Sequence, residues 1–312
     1  MVSKGKSCAQ FEQEHANLLN KRYGIACGSG TQGLVAILKH LKIGEGDEVI
    51  LPSYVCDKVE EGILAVGAIP VLCDIGESWV MNKEYIKAKL SPKTKAIILV
   101  HIFGINAFSE SLKEFDIPII EDICQSTGSW NHKFGAGSYT EYAFTSFHAT
   151  KCLTTGQGGM AFCNDDQAEI ALRQYIKQDF LNDYSDLQAS LGLAQLAEYD
   201  FVLKQRQAIS QRYLNELNPS LISKTRGLDS MYFRFPIISN VDFNWAKEEF
   251  EKAGISIRKG VDAIIHRKKG ISDSEFPNTA QLFETTISLP ILPQLTQEQI
   301  DHIIYNTNKI LA

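Results

Sequence analysis

The residues best placed to do chemistry lie in the run Ser146-Phe147-His148-Ala149-Thr150-Lys151-Cys152-Leu153-Thr154-Thr155-Gly156-Gln157-Gly158-Gly159-Met160. Lys151 stands there five positions after a serine and just ahead of a glycine-rich turn. An amine that can meet an aldehyde, with a hydroxyl near enough to hold a phosphate, is what a pyridoxal phosphate (PLP) Schiff-base site requires. Most lysines are solvated surface residues. The neighbours of Lys151 argue otherwise, because residues 144–147 alternate and residues 159–163 are apolar, so both stretches read as strands. A lysine in a turn between buried strands is poorly hydrated, which favours its neutral, nucleophilic amine.

A second requirement is a carboxylate beside the cofactor's ring nitrogen, since the ring draws electrons only while that nitrogen stays protonated. Residues 116–125 read as a short buried parallel strand ending in Glu121 and Asp122. Open α/β sheets bind ligands at the carboxyl ends of their strands, which makes Asp122 the candidate carboxylate. The alternative, that both acids only cap the next loop, suits one of them better than two. The third piece is Gly28-Ser29-Gly30-Thr31-Gln32-Gly33, ahead of the apolar periodicity of Leu34, Ile37, Leu38 and Leu41. A glycine loop that opens a helix offers free amides and the positive end of the dipole to a phosphate. The same glycines match the dinucleotide pattern G-x-G-x-x-G. That fingerprint also needs an acid closing the second strand, whereas Asp47 and Glu48 precede Val49-Ile50-Leu51, and Pro52-Ser53-Tyr54 follow it. The order favours a phosphate cradle over a nicotinamide site.

Positioning these groups calls for an α/β sheet. Helical periodicity over 9–19 precedes a strand at 24–27, and helix and strand then alternate through 49–51, 70–73, 96–100 and 118–121. Strands separated by helices make a mostly parallel sheet flanked by helices. Beyond 160–163 the pattern is helical over 165–178 and again over 186–217, the second stretch read as one bridging helix. We expect a large domain over 1–217 and a smaller C-terminal α+β domain over 218–312, since 312 residues exceed what one core holds. The net charge of −6 disfavours a nucleic-acid partner. Seven cysteines without C-x-x-C spacing read as buried thiols of a reducing compartment, not as a disulfide frame or a metal site. No run approaches membrane-spanning length, so a cytoplasmic protein without a membrane partner is expected.

Further stretches fall in a familiar order: Gly44-Glu45-Gly46-Asp47-Glu48, Gly67-Ala68-Ile69-Pro70-Val71, Ser91-Pro92-Lys93-Thr94-Lys95, Val100-His101-Ile102-Phe103-Gly104 and residues 186–196. With the segments above, they closely resemble the DegT/DnrJ/EryC1/StrS family of PLP-dependent sugar aminotransferases over nearly the whole chain. The resemblance implies the fold of type I PLP-dependent transferases and transfer of an amino group from an amino acid, glutamate by analogy, to a keto sugar carrying a nucleotide, in surface-polysaccharide or secondary-metabolite biosynthesis. It implies that Lys151 bonds the cofactor aldehyde and that Asp122 pairs with the ring nitrogen. Gln125 then contacts the ring hydroxyl, and Ser146 with the amides of Gly30, Thr31 and Gln32 holds the phosphate. It also implies a homodimer with shared sites.

The chain departs from the family pattern in four places. The segment before the glycine loop is short, and the aromatic residue expected three positions after Pro52-Ser53 is Cys56, which leaves Tyr54 as the candidate to stack on the ring. The stretch 165–186 is short and offers Asn182 as the residue donated to the partner subunit's phosphate. The small-domain pattern is replaced by Arg258-Lys259-Gly260-Val261-Asp262-Ala263-Ile264-Ile265-His266-Arg267. A sugar dehydratase of the same family carries histidine at the lysine position, so Lys151 favours amine transfer. A non-catalytic PLP-binding homologue is the other alternative, opposed by Lys151, Asp122, Gln125 and Ser146 together.

Overall fold

A computed structural model describes residues 5–128, 135–179 and 183–312. The first half runs α1 (Lys6–Leu18), β1 (Tyr23–Cys27), α2 (Gly30–His40), β2 (Glu48–Pro52), α3 (Asp57–Leu64), β3 (Ile69–Cys73), α4 (Lys83–Lys89), β4 (Thr94–Val100) and β5 (Ile119–Asp122). It continues with β6 (Tyr142–Ser146), β7 (Gly159–Cys163), α5 (Asp166–Gln178), α6 (Asp186–Ala197) and α7 (Tyr199–Glu216). The remainder is β8 (Phe235–Ile238), α8 (Phe243–Lys252), β9 (Arg258–Lys259), α9 (Ile265–Lys268), α10 (Pro277–Thr285), β10 (Thr286–Leu289) and α11 (Gln297–Ile310).

Seven strands form one sheet in the order β1-β7-β6-β5-β4-β2-β3. The block from β3 to β6 is parallel, and β7 runs antiparallel to both β6 and β1. Parallel strands covered by helices on both faces must be apolar throughout. β7 is buried at every residue, as are the last four residues of β2. Register decides what meets at the sheet edge: Gly159 opens β7 and pairs with Cys27, the end of β1, and with Ser146, the end of β6. The glycine loop after Cys27 and the hydroxyl of Ser146 are thereby brought to the edge where β5 delivers Asp122.

Helix α2 starts where the sequence signals it. Ser29 caps it by accepting from the Gln32 amide at 3.1 Å, and Lys39 and His40 occupy its last turn. Its Leu34, Ile37 and Leu38 are fully buried. The stretch expected as one bridging helix is two, α6 and α7, joined at Glu198. A second core gathers on β8-β10-β9, the three-stranded sheet, with Ile209 and Tyr213 of α7 and Ile300 and Ile303 of α11. Residues Val261, Ile264, Ile265, Phe276 and Leu282 instead join the core of the large sheet. The chain therefore returns to the large sheet before β10. None of the helices among the described residues is long and apolar enough to cross a membrane.

Candidate active site

Glu121 and Asp122 are adjacent on β5 and so point to opposite faces of the sheet. Glu121 is fully buried and accepts from His101 Nε2 at 3.0 Å, the amides of Gly137, Tyr139 and Thr140, and the Thr140 hydroxyl. His101 Nδ1 accepts from the Ala107 amide, so the ring proton is on Nε2 and is donated to Glu121. Burial opposes ionisation of Glu121, but the bonds from His101 and Gly137 outweigh it and hold the carboxyl below its ordinary value. Glu121 is thus consumed in holding the 137–140 loop. The Asp122 carboxylate accepts from the Cys124 amide at 2.9 Å and is hydrogen-bonded by the Cys124 thiol. Burial raises its pKa against the pull of that amide and the charge of Lys151. A buried carboxylate served by one residue, Cys124, and in no ion pair among the described residues is suited to a cationic N–H.

Lys151 lies in the loop from β6 to β7. The loop is closed at its base by Phe147 N–H donating to Gly158 O and Thr155 N–H donating to Phe147 O, and Gln195 of α6 accepts from the Thr154 amide. Within it Lys151 N–H donates to His148 O at 2.8 Å, a tight turn that lifts the side chain toward Asp122. The Lys151 Nζ stands 5.6 Å from the centre of the Phe233 ring. Phe233 reaches this place because Phe103 and Gly104 both adopt left-handed backbone, φ 58° and 83°, and offer their carbonyls to the amides of Phe233 and Met231. Only glycine fits at 104, where a Cβ would stand 2.6 Å from Met231 Cγ. Gln125 steadies the same turn: its Oε1 accepts from Phe103 N–H at 2.9 Å, which leaves its NH2 free to donate.

The start of α2 completes the cluster. An added Cβ on Gly30 would stand 3.2 Å from Ser146 Cβ and 3.3 Å from Cys124 Sγ, so helix start, serine and the turn after Asp122 are in contact. Gly159 has still less room: its Cβ would lie 2.3 Å from Ser29 C and 2.4 Å from Gly30 N. The amides of Gly30 and Thr31 have no acceptor within the helix. That of Gln32 is taken by Ser29 Oγ, and its side chain accepts from Gly28 N–H and donates to Asp179. Gln32 therefore shapes the loop and does not present a free amide.

Lys151, Asp122, Gln125, Ser146, Gly30 and Thr31 are thus gathered at one sheet edge. Tyr54 is not among them. It is fully buried between Phe103 and Gly260, with its ring centre 6.1 Å from that of Phe103, and offers no face to a ligand. The chain turns outward after Val55, and the next residue, Cys56 at the start of α3, is exposed and feels the charge of Lys151. Cys56 also departs from the expectation of seven buried thiols. Asn182 lies outside the described residues. Sequence reading missed Phe233 and Cys124; the apolar alternation over 231–239 was the signal for the former.

The model of the DegT/DnrJ/EryC1/StrS aminotransferase family matches residues 1–307. The chain belongs to this family. It is 30% identical to the UDP-N-acetyl-3-dehydro-alpha-D-glucosamine 3-aminotransferase of Acidithiobacillus ferrooxidans over 96% of this chain and 87% of that protein. It is 30% identical to the GDP-perosamine synthase of Vibrio cholerae over 77% of this chain and 71% of that one. Among solved structures, the PMP form of Spr1654 from Streptococcus pneumoniae superposes with a TM-score of 0.87 at 25% identity, covering 99% of this chain and 91% of that chain. The protein is a sugar aminotransferase with the fold of PLP-dependent aminotransferases, and PLP is its cofactor.

Proposed function

We propose that this protein transfers an amino group from glutamate to a keto carbon of a nucleotide-linked sugar, in the building of a surface polysaccharide or a secondary metabolite. The observation that carries the reading is the meeting of Lys151, Asp122 and the start of α2 at one sheet edge. Bound PLP supplies the aldehyde, the electron sink and the carrier of the amine. Lys151 would bond its aldehyde and would move the proton at the substrate carbon. Asp122 would keep the ring nitrogen protonated, and the Gln125 amide would donate to the ring hydroxyl. Ser146 and the amides of Gly30 and Thr31 hold the phosphate at the helix start. Glutamate and the nucleotide are supported by the chemistry of the family and by the UDP- and GDP-sugar names of the relatives.

The same reading makes the working unit a two-fold dimer with Asn182 donated across the interface. It is supported by Leu187, Leu191 and Phe201, apolar side chains of α6 and α7 that are 71, 46 and 57% exposed. The deciding experiment incubates the PLP-loaded protein with glutamate and a panel of nucleotide-linked keto sugars and weighs the products. An aminated sugar formed in step with 2-oxoglutarate is expected. Borohydride reduction of the resting protein should fix the cofactor to the peptide bearing Lys151. Absence of any amination, or labelling of another lysine, rejects the reading.

A further inference from the structure

A cleft of about 1060 Å³ opens from Lys151 and Phe233 and extends to Gln299 and His302 of α11. Ligand pockets run to roughly 1,000 Å³, so this one is larger than an amino acid requires. Three arginines line it, and their surroundings differ. Arg206 is buried and spent, donating to the carbonyls of Tyr232 and Phe233. Arg234 uses only Nη1, which donates to Lys259 O at 2.9 Å and Gly260 O at 3.1 Å. Arg258 is exposed on β9. Neither Arg234 nor Arg258 has an ion-pair partner among the described residues, although Asp262 lies within the field of Arg234.

We infer that Arg234 and Arg258 are the anion clamp that holds the diphosphate of the acceptor; this rests on the nucleotide-sugar reading above. Both guanidinium groups line this one cleft, Arg234 half-buried and Arg258 exposed, and like charges sharing a cleft are relieved by an anion between them. Burial and the neighbouring Arg258 both push the Arg234 pKa down, as expected of a cation short of a counter-charge. Guanidinium forks match phosphate oxygens geometrically. The Phe233 ring neighbours both the reacting amine and the clamp, with Lys151 Nζ 5.6 Å and Arg234 Cζ 6.0 Å from its centre. The one cleft that these residues line would take a sugar ring beside Lys151, its diphosphate on the arginines and its nucleoside toward α11.

Nucleoside diphosphates lack the keto carbon, so UDP, GDP and TDP bind without turnover and serve as probes for calorimetry on the PLP-loaded protein. Arg258→Ala is the primary variant because its exposed side chain makes no hydrogen bond or ion pair among the described residues, and Arg234→Lys tests the half-buried partner while keeping its charge. Each should weaken diphosphate binding about 10- to 100-fold, with the melting temperature of ligand-free Arg258→Ala no lower than wild type. The glutamate half-reaction, followed by the cofactor's visible band, should keep its rate and affinity. Wild-type affinity for the probes in Arg258→Ala overturns the clamp. So does a fall in glutamate affinity, alone or equal to that for the probes, which assigns the arginines to the donor carboxylate or to the fold. If the unaltered protein binds no diphosphate yet aminates a free keto sugar, the nucleotide reading falls and takes the clamp with it.

Discussion

Asp122→Asn separates holding the cofactor from holding the fold. Asp122 is 5% exposed, and its carboxylate is hydrogen-bonded by the Cys124 amide and thiol. Asparagine keeps an oxygen for that amide and removes a charge that is costly to bury, so the variant apoprotein should melt no lower than wild type. Burial raises the folded pKa above the ordinary 3.8. Between those values the folded state carries the extra proton, so wild-type apoprotein loses stability as pH rises through the window, and the loss is complete above the folded value. The variant lacks this group, and its margin over wild type should widen across the same window and then level off. In the loaded protein the carboxylate faces a cationic N–H, a bond worth roughly 1.5–3 kcal/mol. PLP affinity should therefore fall about ten- to 150-fold, and turnover at saturating cofactor should fall further because the ring nitrogen loses its proton. Thermal melts of apoprotein across pH, fluorescence titration with PLP and saturated turnover supply the three readouts. A variant apoprotein that melts lower at every pH while binding PLP as tightly as wild type would refute the reasoning and make Asp122 a structural acid.

Gly159→Ala forces a methyl group to within 2.3 Å of the Ser29 carbonyl carbon; it should cost on the order of 1–3 kcal/mol in a denaturant melt and weaken PLP binding by displacing the start of α2, and a variant equal to wild type in both would show that the loop does not rest on β7. Cys56 is the exposed thiol among the seven and occupies the family's aromatic position. It should react first with a thiol reagent, and Cys56→Phe should tighten PLP by about 0.5–1.5 kcal/mol through ring stacking; an unchanged dissociation constant places the ring face elsewhere. For the dimer, mixing Lys151→Ala with an inactive Asn182→Ala variant should restore activity at one site per mixed dimer after subunit exchange. Failure to complement despite proven exchange would count against a donated Asn182.

The chemistry of this protein is legible in its sequence because each demand of a Schiff-base site is local. A strand ending in Glu121-Asp122, a capped glycine loop before an amphipathic helix and a lysine between two apolar runs are all short-range patterns set by backbone sterics, capping and burial. The same local character explains why the α/β class and a mostly parallel sheet could be read from alternation. Choosing between neighbours was another matter. Glu121 and Asp122 are equivalent as sequence, and the register of β5 in the sheet, with His101 and the 137–140 loop on one side, made the first structural and left the second open. Tyr54 is an aromatic residue beside the expected position, yet it went into the core because the small sheet covers it at Gly260 and Thr286, some two hundred residues away in the chain. The contact of Phe233 with Lys151 likewise forms only when the second sheet docks, and Arg258 of β9 comes to share a cleft with Arg234 only when that sheet assembles. Residue type and spacing determined which reaction the chain can run; long-range packing, which no local propensity encodes, decided which side chains face the reagent and which are used to hold it.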